Sequence, residues 1–174
     1  MQTMTEQTFL YHVKQNEQKL FRFAYRMLKD AARAEDAVQD LVMKLWKRKD
    51  QLQQLGNVDV YFMVAMKNHC YDEIKKATRR RSHYEQHHNL HQTVSNNPEN
   101  RLVKHDVTEK IRSLINDLPE TQQMVMQLRD IEQLETKEIE KITGLSSGAI
   151  RTNLSRARKT IREQIKKLHS YGLE

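Results

Sequence analysis

The 174-residue chain has only four glycines, two prolines and one cysteine. So few turn-formers exclude a fold made of many tight hairpins. With Leu, Lys, Glu, Gln, Arg and Met abundant, the composition predicts an all-α protein. The lone cysteine, Cys70, excludes an internal disulfide and fits a reducing compartment. It lies in "KNHCYDEI", a helical pattern in which a packing role outweighs a nucleophilic one. No apolar run is long enough to span a bilayer. The first residues, "MQTMTEQTFLYHVKQNEQ", have neither the basic start nor the apolar centre of a signal peptide, so a cytoplasmic location is expected.

What the chain does have is charge of one sign. A formal net charge of +7 and a pI near 9.5 point to a polyanion or an acidic surface as partner. The mean hydropathy of −0.86 turns much of each helix toward water or a polar partner.

Helical periodicity begins at "LFRFAYRML", where Leu20, Ala24, Met27 and Leu28 share a face that Phe9 and Val13 extend or precede. In "LKDAARAEDAVQDLVMKLWKR", Ala34, Ala37, Val38, Leu41, Val42, Leu45 and Trp46 form a core stripe. Asp36, Gln39 and Asp40 lie on another face, with Met43 beyond them. The period stops at Gly56-Asn57, and Asp59 is expected to cap the next helix, "VYFMVAMKNHCYDEIKKATRRR". That helix ends in Lys75, Lys76, Arg79, Arg80 and Arg81, which also suits the helix dipole.

Between Ser82 and Pro98 the apolar pattern lapses. "SHYEQHHNLHQTVSNNPEN" reads as a flexible polar linker, residues 83–98, joining two small helical domains at 1–82 and 99–174. His83, His87, His88 and His91 have spacings compatible with a zinc-binding helical face. No Cys or acidic pattern completes such a site, so a solvated tether without metal is the stronger reading.

In the second domain Leu102, Val103, Val107, Ile111, Leu114, Ile115 and Leu118 share a face. Pro119 suits the first turn of the following helix, whose buried side is expected to be Met124, Val125, Leu128 and Ile131. The segment "ETKEIEKITGLSSGAIRTNLSRARKTIREQIKKL" then supplies a short helix, a turn at Gly144 and a longer helix. Ile139 and Ile142 face inward, Leu145 plugs the corner, Ser146 or Ser147 offers a cap, and Ile150, Leu154 and Ile161 continue the core. This is the pattern of a helix-turn-helix.

From Gly144 to Leu168 the cations Arg151, Arg156, Arg158, Lys159, Arg162, Lys166 and Lys167 face a single acid, Glu163. A solvated helix face would mix signs, whereas one-sided charge fits the DNA major groove. Base readers sit near the start of such a helix, which selects Arg151, Thr152 and Asn153, with Arg156, Arg158 and Lys159 left for phosphates. A second mixture, Tyr61, Phe62, Lys67, Asn68 and Tyr71 followed by Arg79, Arg80 and Arg81, combines rings with cations as single-stranded DNA requires. Phe62 is the ring among them most readily read as core.

The ordered set "FRFAYRMLKDAARAEDAVQDLVMKLWKR", "YFMVAMKNHCYDEIKKATRRR", "NNPEN" and "LPETQQMVMQLRDIEQLETKEIEKITGLSSGAIRTNLSRARKTI" resembles an extracytoplasmic-function sigma factor of the sigma-70 family. The resemblance runs from about Phe9 to Ile165. It implies a non-enzymatic, cofactor-free specificity subunit of bacterial core RNA polymerase. Its first domain, region 2, would bind the β′ clamp helices through Asp36, Gln39 and Asp40, and read the −10 element through Tyr61, Lys67, Asn68, Arg79 and Arg80. Its second, region 4, would bind the β flap and read the −35 element through the helix-turn-helix. The linker would thread toward the RNA exit path, and an anti-sigma protein is a further partner the resemblance implies. Four positions depart from the family pattern. Glu135 replaces the usual Ser or Thr, so Thr136 is expected to cap the short helix. Asn153 and Ala149 replace a frequent Arg and Thr, which implies a −35 preference of its own, and Val64 stands at an often basic position. A stand-alone helix-turn-helix regulator is the rival reading.

Overall fold

The structure, a computed structural model, describes residues 4–52, 54–87 and 113–170, with the backbone alone for 81–87 and 168–170. Among these residues there are helices and no strand, so the architecture is all-α. The chain divides into two compact units, one within Met1–Leu90 and one within His91–Glu140 and Gly144–Glu174.

In the first unit, helix α1 (Glu6–Leu28) starts where the Thr5 hydroxyl accepts the Thr8 N–H at 3.2 Å. It stops at Lys29, whose φ of 55° turns the chain out of the helix. Only Asp30 separates this turn from α2 (Ala31–Trp46), and its carboxylate caps α2 by accepting the Arg33 N–H at 2.9 Å. A two-residue joint leaves the helices little choice but to fold back as a hairpin. The short α3 (Lys49–Leu52) leads to the long α4 (Val58–His87), which packs on both α1 and α2. The expected stripe is buried at Ala34, Ala37, Val38, Leu41 and Leu45, against Phe9, Leu20, Phe23 and Ala24 of α1 and Phe62, Met63, Met66 and Cys70 of α4. Phe9 joins the three helices, with ring centroids 5.2 Å from Trp46 and 6.1 Å from Phe62.

Of that stripe, Val42 is half-buried and Trp46 is 37% exposed at the helix end, and two further expectations for this unit change. Asn57, not Asp59, caps α4, its side-chain oxygen accepting the Val60 N–H at 3.0 Å. Asp59 already lies inside the first turn and instead receives hydrogen bonds from His12 Nδ1 at 2.9 Å and Asn16 Nδ2 at 2.8 Å, tying α1 to α4. The second change is length. α4 runs on to His87, five residues into the segment read as a linker, and residues 88–98 lie outside the described residues.

In the second unit, the proposed face of Leu102, Val103, Val107 and Ile111 lies outside the described residues, whereas Ile115 and Leu118 are buried. Pro119 occupies the cap position before α5 (Glu120–Met126) rather than its first helical residue. α5 widens at once into a π-helical turn, Gln127–Ile131. The extra residue in that turn rotates the positions after it, so Ile131, expected in the core, is 41% exposed. Gln127 and Glu132 go in instead, paired by a 2.6 Å hydrogen bond from the amide to the carboxylate. α6 (Thr136–Thr143) is capped by Glu135 and not by Thr136. The Glu138 carboxylate reaches back to accept the Glu135 N–H at 2.9 Å, a capping box that removes Glu135's handicap as a cap. Gly144, at φ 78°, ends α6 with its N–H on the Glu140 carbonyl at 2.8 Å. That left-handed conformation is one an L side chain resists. α7 (Ser147–Ser170) completes the helix-turn-helix, with the Ser146 hydroxyl accepting the Ala149 N–H at 3.3 Å.

Candidate nucleic-acid and protein interfaces

α7 buries Ile150, Leu154, Ala157 and Ile161, a stripe at spacings of four, three and four residues. That stripe fixes which side chains can meet a partner. Arg151, Thr152, Arg156, Arg158 and Lys159 are exposed, and Asn153 is half-buried. The six expected DNA contacts differ in readiness. Among the described residues no acid pairs with Arg151 or Arg156. Thr152 donates its hydroxyl to the Gly148 carbonyl and Asn153 donates its amide N–H to the Ala149 carbonyl, each at 2.9 Å. Their polar ends are thus partly spent on their own helix. Lys159 has Glu163 3.9 Å away, but both are well exposed and such a pair contributes little. Arg158 is engaged firmly: Asp130 accepts its Nε–H at 3.0 Å and an Nη2–H at 2.5 Å.

The first unit carries two grooves, one on either side of α2. The first, about 380 Å³, runs between α2 and α4. Tyr61, Val64, Asn68 and an acid, Asp72, face it from α4, and Lys44, Lys47 and Arg48 line it from α2 and its end. The structure therefore brings Tyr61 and Asn68 together, seven residues apart on one helical face. Lys67 is not among the lining residues, and Arg79 and Arg80 are exposed about three turns beyond Asn68 on α4. Lys44, Lys47 and Arg48 were missed by sequence reasoning. Their signal was present in "KLWKRKD", but cations ending a helix are explained by its dipole, and only the position of α4 turns them into a groove wall.

His69 forms part of this wall and is 7% exposed. Its Nδ1 lies 3.1 Å from Lys44 Nζ, and its Nε2 lies 4.0 Å from the Asp40 carboxylate. A lysine ammonium can only donate, so Nδ1 accepts and the proton of the neutral ring sits on Nε2. Burial, and then the Lys44 charge, hold the His69 pKa below its ordinary value. Next along the helix, burial pushes the Cys70 thiol up to about 12, and its S–H donates to Met66 Sδ at 3.7 Å. Such a thiol is a core group and not a nucleophile at neutral pH.

The second groove, about 570 Å³, lies between α1 and α2. Asp36, Gln39 and Asp40 line it together, joined by Glu17 of α1. Val13, Val38 and Val42 supply apolar surface, and Met43 is 58% exposed beside them. Sequence reasoning missed Glu17 because it lies one helix away in a polar stretch. An apolar trough rimmed by carboxylates suits an amphipathic helix with a basic flank. Of the four histidines singled out for metal, no side chain is described, so that question lies outside the described residues. Among the described residues no helix is long and apolar enough to cross a membrane.

Comparison with known proteins agrees with this layout. Residues 12–80 match the family model described as sigma-70 region 2, and residues 108–161 match sigma-70 region 4. No curated protein matches the chain. Among solved structures, the chain is similar to the sigma factor RpoE of Bartonella quintana, solved with the anti-sigma factor NepR, at 23% identity and a TM-score of 0.65. That match covers 92% of this chain and 96% of the other. It is also similar to CnrH, solved with the cytosolic domain of CnrY, at 16% identity and a TM-score of 0.62, covering 94% and 90%. At these identities the likeness establishes the fold.

Proposed function

Because the chain belongs to the sigma-70 family, as a sigma factor of the extracytoplasmic-function type, we propose that it binds bacterial core RNA polymerase and directs it to promoters with distinct −10 and −35 elements. It acts in the cytoplasm as a specificity subunit, not as an enzyme. The work divides among residues 1–82, a connection at 83–98 whose first five residues continue α4, and residues 99–174. The acidic groove with Asp36, Gln39 and Asp40 takes the polymerase, whose β′ clamp helices would supply the basic amphipathic surface. The second unit adds a contact to the β flap.

The basic groove takes the melted −10 strand. A base leaves the stack at a cost of about a few kcal/mol, offset by stacking on Tyr61 and hydrogen bonding to Asn68. Lys67, Arg79 and Arg80 neutralise its backbone. α7 enters the major groove at the −35 element. Arg151 is the base reader with the fewest commitments, Thr152 and Asn153 read beside it, and Arg156, Arg158 and Lys159 hold phosphates. The complexes formed by RpoE and CnrH support an anti-sigma protein as a further partner.

The observation that carries this reading is the order of the two matched regions, each with its own cationic helical face and with Asp36, Asp40 and Glu17 gathered in a separate groove. Transcription with core polymerase over a randomised promoter library tests it. Purified chain should confer selection of a paired −35 and −10 sequence while binding duplex promoter weakly alone. Tight operator binding by the chain alone, with no gain of promoter specificity by core polymerase, would instead establish a stand-alone regulator.

A further inference from the structure

The turn between α5 and α6 is fixed by more bonds than a connector needs. The Glu132 N–H reaches five residues back to the Gln127 carbonyl at 2.9 Å, and their buried side chains meet at 2.6 Å. The Leu134 N–H donates to the Leu128 carbonyl at 2.9 Å, and Arg129 Nη1 donates to the Leu134 carbonyl at 2.7 Å. Asp130 sits inside this frame, and its carboxylate takes the Nε and Nη2 side of Arg158 on α7.

A guanidinium has five N–H groups in one plane. Asp130 occupies two of them, on one side. Of the three that remain, one on Nη1 and one on Nη2 lie side by side on the end of the guanidinium, an edge turned away from the carboxylate that can grip a phosphate with two parallel bonds. The Arg158 side chain is 51% exposed and that of Asp130 29%, so the acid is recessed behind the cation. Helical spacing puts Arg158 on the same flank of α7 as Arg151 and Arg162, seven and four residues away.

We propose that Asp130 is a positioning residue that holds Arg158 with its free edge presented to one backbone phosphate of the −35 duplex. A long side chain left to itself must lose rotamer freedom on reaching DNA, and here the π-helical turn has removed that freedom beforehand. Arg158 is therefore a phosphate anchor that fixes how α7 is set in the groove, and the bases are read elsewhere on the helix. This rests on the reading of α7 as the −35 reader.

The test uses the full chain in holoenzyme with core polymerase, on a promoter selected by the unaltered protein and on variants of its −35 element, with binding measured across a salt series. R158A should weaken binding equally for all −35 sequences and flatten the slope of log K against log salt by about 1. D130N should weaken binding in the Arg158 background relative to its effect in the R158A background. This comparison cancels the gain expected merely from removing a negative charge near DNA. R158K should retain the slope but lose the dependence on Asp130, because lysine has no second edge. Two results overturn the proposal: D130N helping binding as much with Arg158 as without it, or R158A lowering only the melting temperature and leaving the salt slope unchanged. If holoenzyme binding of the unaltered protein ignores the −35 sequence altogether, the reading of α7 fails and this role with it. Binding that depends on the −35 sequence but not on Arg158 sinks the positioning role alone.

Discussion

The two grooves of the first unit share α2 as a wall and have opposite character. Toward α1 the helix offers Asp36 and Asp40 over an apolar trough, and toward α4 its later turns offer Lys44, then Lys47 and Arg48 beyond. Of these charges only Lys44 lies in a terminal turn of α2, where the helix dipole favours it, and the helix has no acid in its first turn. The placement of Asp36 and Asp40 is therefore not a demand of helix stability. Asp36 and Lys44 are separated by roughly 12 Å along the axis at 1.5 Å per residue. This exceeds the ~8 Å screening length at physiological salt, whereas Asp40 and Lys44, roughly 6 Å apart along the axis, lie within it, so the two signs meet at that turn. His69 sits where the two meet, with Lys44 on one side and Asp40 on the other.

Reversing one wall should have the largest effect. Asp40→Lys places a cation in the acidic groove and should cost core-polymerase affinity on the order of 3 kcal/mol, the scale of a like-charge juxtaposition. Co-sedimentation with core polymerase measures it, and an unchanged melting temperature would show that the fold is spared. Tyr61→Ala tests the other groove. Holoenzyme should lose about 1–3 kcal/mol on forked −10 DNA, the value of one stacked base, while polymerase affinity stays the same. Equal losses in both assays would erase the distinction between the grooves.

The junction gives a smaller, pH-dependent effect. His69 has a lowered pKa in the folded chain, so the unfolded chain binds more protons and stability falls as pH drops below about 6.5. The groups facing it are Asp40 and Lys44 from α2 and Glu73 and Lys76 on its own helix. Denaturant titrations at a series of pH values should show this decline in the native protein and a shallower one in His69→Gln. In the second unit, Glu138→Ala should cost about 1 kcal/mol through the lost capping box, as a lower denaturant midpoint, with no change in either groove's binding.

Much of this fold is readable from periodicity, because α1, α2 and α7 each bury one clean stripe. What periodicity misses has local causes. Ile131 fails because one π-helical turn shifts the phase of every residue after it, and the signal for that turn is a polar pair, Gln127 and Glu132, that looks exposed in sequence. The cap of α4 fails because Asn57 and Asp59 are both good caps, and the choice is made by His12 and Asn16, more than forty residues upstream. Candidate binding residues obey a similar rule. Arg151 and Tyr61 are visible as residue types in a pattern, whereas the commitment of Arg158 to Asp130 and the recruitment of Lys44, Lys47 and Arg48 depend on which helices become neighbours.

The joint of Lys29 and Asp30 bears on the order in which these surfaces come into being. Both walls of the acidic groove belong to a hairpin whose arms adjoin in sequence, so its contacts are local and close quickly. The basic groove needs α4, which is separated from α2 by α3 and a further turn. During synthesis, as the chain emerges from its N-terminal end, the walls of the acidic groove are complete while the helix carrying Tyr61 and Asn68 is still to be added.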